Sequence, residues 1–261
     1  MDAPIAPPLR PGLQRWLALD TSTSVLSVAV GAAGTAEPLA WHEGEGGAQA
    51  SATLLPTVVA LLQRAGWRLA ELDGIVFGHG PGSFTGLRTA CAVVQGLAAG
   101  ARPGGVPVLP LSTLLAVAEA ARLRHAPAAR QLTVHAALDA RMDEVYVACY
   151  AWDAAHGWRE LTGPHLRRPE DLPHEQGALH AGNVAGVYGE RLPCAWRSQA
   201  GSTTQPCARA LLRLAAAGMA AGRCVGAHGA QPLYVRDKVA LTVDEQAALR
   251  ASRAAAWQGG S

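Results

Sequence analysis

Lys238 is the only lysine in a chain of 261 residues whose lysines and arginines together number 22. With 20 acidic residues the formal net charge is +2. No basic block stands out, so a strong autonomous nucleic-acid footprint is not indicated. The near-exclusive use of arginine reads as genome composition, and Arg122-Leu123-Arg124 and Arg167-Arg168 read as solvated helix or loop faces. A membrane-length apolar run is missing as well, although hydrophobic residues make up 49% of the chain; no membrane partner is expected. The proline-dotted start from Met1 to Pro11 lacks a charged segment followed by an apolar core, and no signal peptide is expected. Five cysteines (Cys91, Cys149, Cys194, Cys207, Cys224) include no Cys-x-x-Cys pair. That argues against a disulfide framework and a zinc knuckle, and suits a reducing, cytoplasmic setting.

Catalytic signatures are equally scarce. No two of the nine histidines stand four residues apart, which excludes a helical His-x-x-x-His metal pair. No Ser-His-Asp or Cys-His set is suggested by motif. No catalytic residue and no metal ligand is therefore assigned.

What the chain does have is the block Gly80-Pro81-Gly82-Ser83-Phe84-Thr85-Gly86-Leu87-Arg88. It follows a strand-like run, Gly74 to Gly78, and opens a small-residue helix that ends near Gly100. Strand, glycine turn and helix together aim backbone N–H groups at an anion. The block is not a Walker A loop and not a dinucleotide fingerprint, and Ser83 lacks the glycine neighbours of a hydrolase elbow. His79 beside it reads as a backbone-satisfying or solvent-facing residue. Asp20, Thr21 and Ser22 form a hairpin turn that either bonds its own backbone or faces a phosphate on the same cleft. Asp20, Thr21, Ser22, Gly80, Gly82, Ser83 and Gly86 are thus the nucleotide- or phosphate-loop candidates. Asp139 to Glu144 reads as a turn with an ion pair, or as a lining of the cleft.

Around these motifs the chain alternates. Strands are predicted over Trp16–Asp20, Val25–Val30 and about Pro38–His42, then a loop over Gly44–Gly47. A helix follows to Gly66, with Pro56 in or just after its first turn. Leu54, Leu55, Val58, Val59, Leu61 and Leu62 give that helix a broad apolar arc. A short strand over Val106–Leu111 completes a ribonuclease H-like α/β half. The region after it repeats the theme loosely. It has a helix over Ser112–Arg124, a strand pair (Leu132–Leu138, Glu144–Tyr150), irregular loops, a helix over Gln205–Gly218 and an extended Gln231–Arg236. The predicted organisation is a flexible tail over 1–14, a first lobe over 15–111, a second lobe over 112–221, a segment returning to the first lobe over 222–243, and a loosely ordered tail over 244–261.

The glycine-block helix has two faces. Phe84, Leu87, Cys91, Val94 and Ala98 suit packing on a sheet, whereas Thr85, Thr89, Ala92, Gly96 and Ala99 form a small-residue stripe that lets another helix approach closely. Core packing and a subunit interface both account for such a stripe. The wide arc of the preceding helix tilts the reading toward an interface.

Leu19-Asp20-Thr21-Ser22-Thr23, the Gly80–Arg88 block, Gln95-Gly96-Leu97-Ala98, Leu111-Ser112-Thr113-Leu114, Leu138 to Tyr146 and Pro232 to Arg236 resemble, in order, the successive blocks of the bacterial TsaB (YeaZ) family. The resemblance spans roughly residues 16 to 242. It implies a two-lobed actin/Hsp70-like (ASKHA) fold with a smaller, more irregular second lobe, and a part in making threonylcarbamoyladenosine next to the tRNA anticodon. It further implies a non-catalytic partner of the transferase TsaD, acting with TsaE and meeting tRNA through the complex. The docking helices would contribute Leu54, Leu55, Val58, Leu62, Thr85, Arg88, Thr89, Ala92, Val93 and Gly96, a surface that can also support a homodimer. No cofactor is intrinsic on this reading; ATP or ADP is the candidate at or near the partner interface. The metal-binding histidines of TsaD-type proteins correspond here to Thr113 and Val117. The family's frequent His-Ser is replaced by Ala50-Ser51. An ATP-using phosphotransferase or acyltransferase acting alone is the rival expectation.

Overall fold

Leu17 and Leu19 point to one side of strand β1 (Arg15–Asp20) and Trp16 and Ala18 to the other, and all four are buried. A strand apolar on both faces belongs in the middle of a covered sheet. In the computed structural model, which describes residues 14–35, 37–197 and 203–236, β1 is the centre of five strands. Its neighbours are β2 (Val25–Ala32), β3 (Ala40–Glu45), β4 (Gly74–Gly80) and β5 (Val108–Ser112), in the order β3-β2-β1-β4-β5. The first three run antiparallel as a meander, and β4 and β5 run parallel to β1.

The side of Leu17 and Leu19 is covered by α1 (Ala50–Arg64) and α2 (Phe84–Gly100), which contribute Leu54, Val58, Val94 and Ala98 to one core. The side of Trp16 and Ala18 is covered by α3 (Thr113–His125) and α6 (Ala208–Ala220). Beyond α3 lies a second sheet of β6 (Gln131–Arg141), β7 (Glu144–Asp153), β8 (Gly157–Arg167) and β9 (Leu179–Gly182), in the order β8-β7-β6-β9. Again a three-stranded meander is followed by a parallel strand. The repeated topology gives the two-sheet, actin/Hsp70-like arrangement. Helix α3 is buried almost all round because it is held between the sheets, with Leu114 and Val117 in the same core as Ala136, Leu138 and Ala148. The outer face of the second sheet is closed by Leu172 and by two one-turn helices, α4 (Ala185–Tyr188) and α5 (Cys194–Arg197), through Tyr188 and Trp196.

Several expectations are corrected. Strand β3 starts two residues late and takes in Gly44 and Glu45, which read as loop. Pro56 stands in the second turn of α1, on its exposed side, where water can reach the carbonyl that its missing N–H leaves free. The segment that read as irregular loops contains β8 and β9. Arg122 is not solvated: its Nε and Nη2 each lie 2.8 Å from a carboxylate oxygen of buried Glu119, and its guanidinium sits 4.1 Å from the Trp152 ring centroid. Glu119 also accepts from Trp158 Nε1 at 2.9 Å and pairs with Arg213 Nε at 3.1 Å. The predicted tail over 1–14 lies, apart from Gln14, outside the described residues, as do residues 237–261.

Candidate functional site

The glycine block forms the turn between β4 and α2. Ser83 caps α2, its Oγ accepting from Gly86 N at 3.4 Å. The turn is pressed against the β1–β2 hairpin. Ser83 N donates to the Ser22 carbonyl at 2.7 Å, and Thr21 Oγ1 donates to the Gly86 carbonyl at 2.8 Å. Gly80 N donates to Thr113 Oγ1 at 3.1 Å. The glycines permit this closeness: a Cβ on Gly86 would overlap the Thr21 carbonyl oxygen, one on Gly82 would lie 2.6 Å from the Ser22 carbonyl oxygen, and one on Gly78 would overlap Asp20 Oδ2. Asp20, Thr21, Ser22, Gly80, Gly82, Ser83 and Gly86 are therefore brought together, but onto one another. Of the four loop N–H groups expected to face an anion, those of Gly80, Ser83 and Gly86 are bonded within the protein.

Asp20 is fully buried. Its Oδ1 accepts from Ser22 N at 2.9 Å and Ser22 Oγ at 2.6 Å, while Oδ2 has no hydrogen-bond partner. Burial pushes its carboxyl up to about 6, against the lowering effect of the Ser22 bonds. The His79 ring is largely desolvated, which lowers its pKa, and it bonds the Gln231 backbone; its carbonyl accepts from Leu233 N at 2.7 Å. That is a structural post holding the C-terminal segment. In the β6–β7 turn, Asp139 accepts from Arg141 N at 2.8 Å and Tyr188 Oη at 2.7 Å and pairs with Arg141 Nη1 at 3.3 Å, so aspartate and arginine do clamp each other.

The helix faces divide differently from the sequence reading. On α2, Leu87, Cys91, Val94 and Ala98 pack inward. Phe84, expected to join them, is 44% exposed and stacks on Tyr234 at 5.6 Å between centroids. Thr85, Arg88 and Ala92 are exposed, Thr89 and Val93 are half-exposed, and Gly96 is exposed with open space above its Cα. On α1, Leu54, Val58 and Leu62 are core residues and are unavailable to a partner. The outward residues are Leu55, 47% exposed, and Val59, 45% exposed. Six apolar positions in three turns exceed what one sheet face can cover, and the sheet takes the Leu54–Leu62 half. The contacts of Tyr234 and Arg236 described below had no local signal in the sequence, because their partners lie on the order of a hundred positions away: Arg88 Nε donates to Tyr234 Oη at 3.0 Å across 146 residues.

The comparisons with known proteins agree with this architecture. Residues 39–172 match the family model described as TsaD, tRNA N6-adenosine threonylcarbamoyltransferase. The chain is 33% identical over 240 residues to the tRNA threonylcarbamoyladenosine biosynthesis protein TsaB of Escherichia coli K12, covering 87% of this chain and 96% of that protein. It is 33% identical over 233 residues to the TsaB protein of Haemophilus influenzae, covering 85% and 94%. Among solved structures, YeaZ from Pseudomonas aeruginosa superposes with a TM-score of 0.71 at 36% identity, covering 85% of this chain and all of that one. The chain belongs to the TsaB (YeaZ) family of tRNA threonylcarbamoyladenosine biosynthesis proteins.

Proposed function

We propose that this chain is a non-catalytic scaffold and activator in the tRNA threonylcarbamoyladenosine pathway, docking on the transferase TsaD through the outer faces of α1 and α2. The observation that carries the reading is the outward apolar and small-residue surface of these two helices: Leu55 and Val59 on α1, with Thr85, Thr89, Ala92, Val93 and Gly96 on α2. Small residues there let a partner helix come close, and the exposed leucine and valine supply apolar area to bury. Two further observations support a partner that owns the chemistry. Thr113 and Val117, where the family resemblance would place metal-binding histidines, are both buried, and Thr113 Oγ1 is engaged by Gly80 N. Three loop donors are spent within the protein, Gly80 N on Thr113, Ser83 N on the Ser22 carbonyl and Gly86 N on the Ser83 cap. The reading therefore assigns ATP or ADP to the joint surface with TsaD, with TsaE and tRNA joining through the complex and a homodimer forming by the same face when TsaD is absent.

Leu55→Asp or Ala92→Glu would bury an unpaired charge in this interface, a cost of several kcal/mol in order of magnitude. Each variant is expected to lose co-purification with TsaD while remaining folded. Retention of TsaD by both sinks the assignment. The unpartnered Oδ2 of Asp20 is the one observation that favours an ATP-using enzyme acting alone. ATP turnover by the purified chain, abolished in Asp20→Ala, would establish that rival.

A further inference from the structure

We infer that a ledge running from Phe84 through Tyr234 to the β6–β7 hairpin tip binds single-stranded RNA, the loop of the tRNA substrate. The inference takes the substrate class from the proposed function and adds a contact site to it.

Three of the large hydrophobic side chains exposed in the described residues lie along this line: Phe84, Tyr234 (45% exposed) and Met142 (61% exposed). The Phe84 and Tyr234 rings are tilted by 33°. Arg88 lies with its Cζ 3.8 Å from the Phe84 ring centroid while its Nε bonds Tyr234 Oη. Two residues further on, Arg236 reaches the hairpin tip, with Nη1 3.3 Å from Met142 Sδ, Nη2 3.2 Å from the Ala140 carbonyl oxygen and a further bond from Nη2 to Glu144. The ledge therefore joins the first sheet's glycine turn to the second sheet's hairpin.

The hairpin tip is itself unusual. Arg141, Met142 and Asp143 all hold positive φ, at 62°, 55° and 60°, without a glycine among them. Left-handed backbone at three successive side-chain-bearing residues is strained and persists where the surroundings over-determine it, a pattern that gathers at functional surfaces. Here it leaves Met142 largely exposed and Arg141 mostly exposed at the edge of the ledge.

The chemistry favours RNA over a protein. Unpaired bases stack on aromatic rings and on guanidinium planes, and this ledge offers the exposed Tyr234 ring beside the Arg88 guanidinium, which itself lies over one face of Phe84. Arg88 and Arg141, both exposed, can meet phosphates, while Arg236 ties Tyr234's segment to the hairpin. Each carboxylate nearby is already engaged, Asp139 by Arg141 and Tyr188, Asp143 by Arg191 at 2.8 Å, and Glu144 by Arg236, so no bare anion repels the backbone. The rest of the outer face, Leu55 and Val59 on α1 with Ala92, Val93 and Gly96 on α2, has the opposite character, apolar and small, and Arg88, expected among the docking residues, stands where the two surfaces adjoin.

The test is fluorescence anisotropy at low salt with the full chain and a labelled tRNA anticodon stem-loop, against a blunt-ended two-strand RNA duplex as competitor. Binding is expected for the stem-loop and not for the duplex. Phe84→Ala and Tyr234→Ala should each weaken it about tenfold. Arg88→Gln and Arg141→Gln should each lower the slope of log affinity against log salt by about one. Arg88→Lys should keep that slope. Circular dichroism and TsaD co-purification of each variant provide the controls. Absence of stem-loop binding, equal binding by the variants, or loss of TsaD with RNA binding unchanged would each overturn the inference, the last by making the ledge a protein-docking surface. Failure of the scaffold reading shows separately, in the Leu55→Asp and Ala92→Glu variants, which leave the ledge intact.

Discussion

Gly86→Ala should be destabilising even though it places the best helix former in the first turn of a helix. In an ordinary helical setting that change gains about 0.5–1 kcal/mol. Here the new Cβ would overlap the Thr21 carbonyl oxygen. That oxygen belongs to backbone held in the hairpin, so no side-chain rotation relieves the clash. Relief must part the first turn of α2 from the hairpin, stretching the Thr21 Oγ1 bond to the Gly86 carbonyl and the Ser83 N bond to Ser22. Two hydrogen bonds at about 0.5–1.5 kcal/mol each, with an overpacking cost of about 1–3 kcal/mol, outweigh the helical gain and leave a net loss of roughly 1–5 kcal/mol. At about 2–4 °C per kcal/mol for a chain of this size class, the Tm should fall by roughly 2–20 °C. Gly96 on the same helix is the internal control, because a Cβ there meets nothing within 4 Å; Gly96→Ala should stabilise by about 0.5–1 kcal/mol. Urea unfolding followed by circular dichroism measures both. If Gly86→Ala matches Gly96→Ala in sign and size, the hairpin is not pressed on the loop, and the account of the glycine block is wrong.

Asp20→Asn should raise stability at pH 7. The folded-state carboxyl, raised to about 6 by burial, binds its proton more tightly than the unfolded one at 3.8. Stability from this group is therefore fully present below about 4 and is lost as pH rises to about 6, an effect of order 2–3 kcal/mol. The Asn variant should flatten that decline in a pH series of unfolding midpoints, and an unchanged slope would assign it to other groups. A paired comparison separates core from surface on α1: Leu54→Ala, at a fully buried position, should cost about 2–5 kcal/mol. Leu55→Ala should leave the unfolding midpoint nearly unchanged and weaken TsaD pull-down instead; a large stability loss at Leu55 would contradict its outward placement.

Much of this fold was legible because β1 and β2 are short apolar runs on either side of the polar turn Thr21 to Ser24, and α1 and α2 carry apolar residues at helical spacing. Strand β8 was not. Its Gly157, Gly163, Pro164 and His165 imitate a loop, yet an edge strand tolerates proline and bulges, and β8 is an edge with irregular register against β7. On α1 the apolar arc was visible, but the sequence alone does not say which half a sheet will claim; three of the four expected interface residues there, Leu54, Val58 and Leu62, proved to be core. The glycine block was rightly singled out for needing glycine. Backbone packing and anion binding ask for the same residue, however, and only the position of Thr21 and Ser22 distinguishes them. Arg122 looked solvated because its partners Glu119 and Trp152 lie on α3 itself and on a strand far along the chain. Phe84, read as inward, is drawn outward by Tyr234, a partner that no local pattern announces.

Glu119 receives bonds from α3, α6 and β8 at once, through Arg122, Arg213 and Trp158. In mechanical terms it is a rivet through the layer between the sheets. Swinging one sheet away from the other would strip a buried carboxylate of its partners, at several kcal/mol in order of magnitude. A jaw-like opening and closing around a ligand is thereby made expensive. The Glu119 cluster fixes the two sheets in one arrangement.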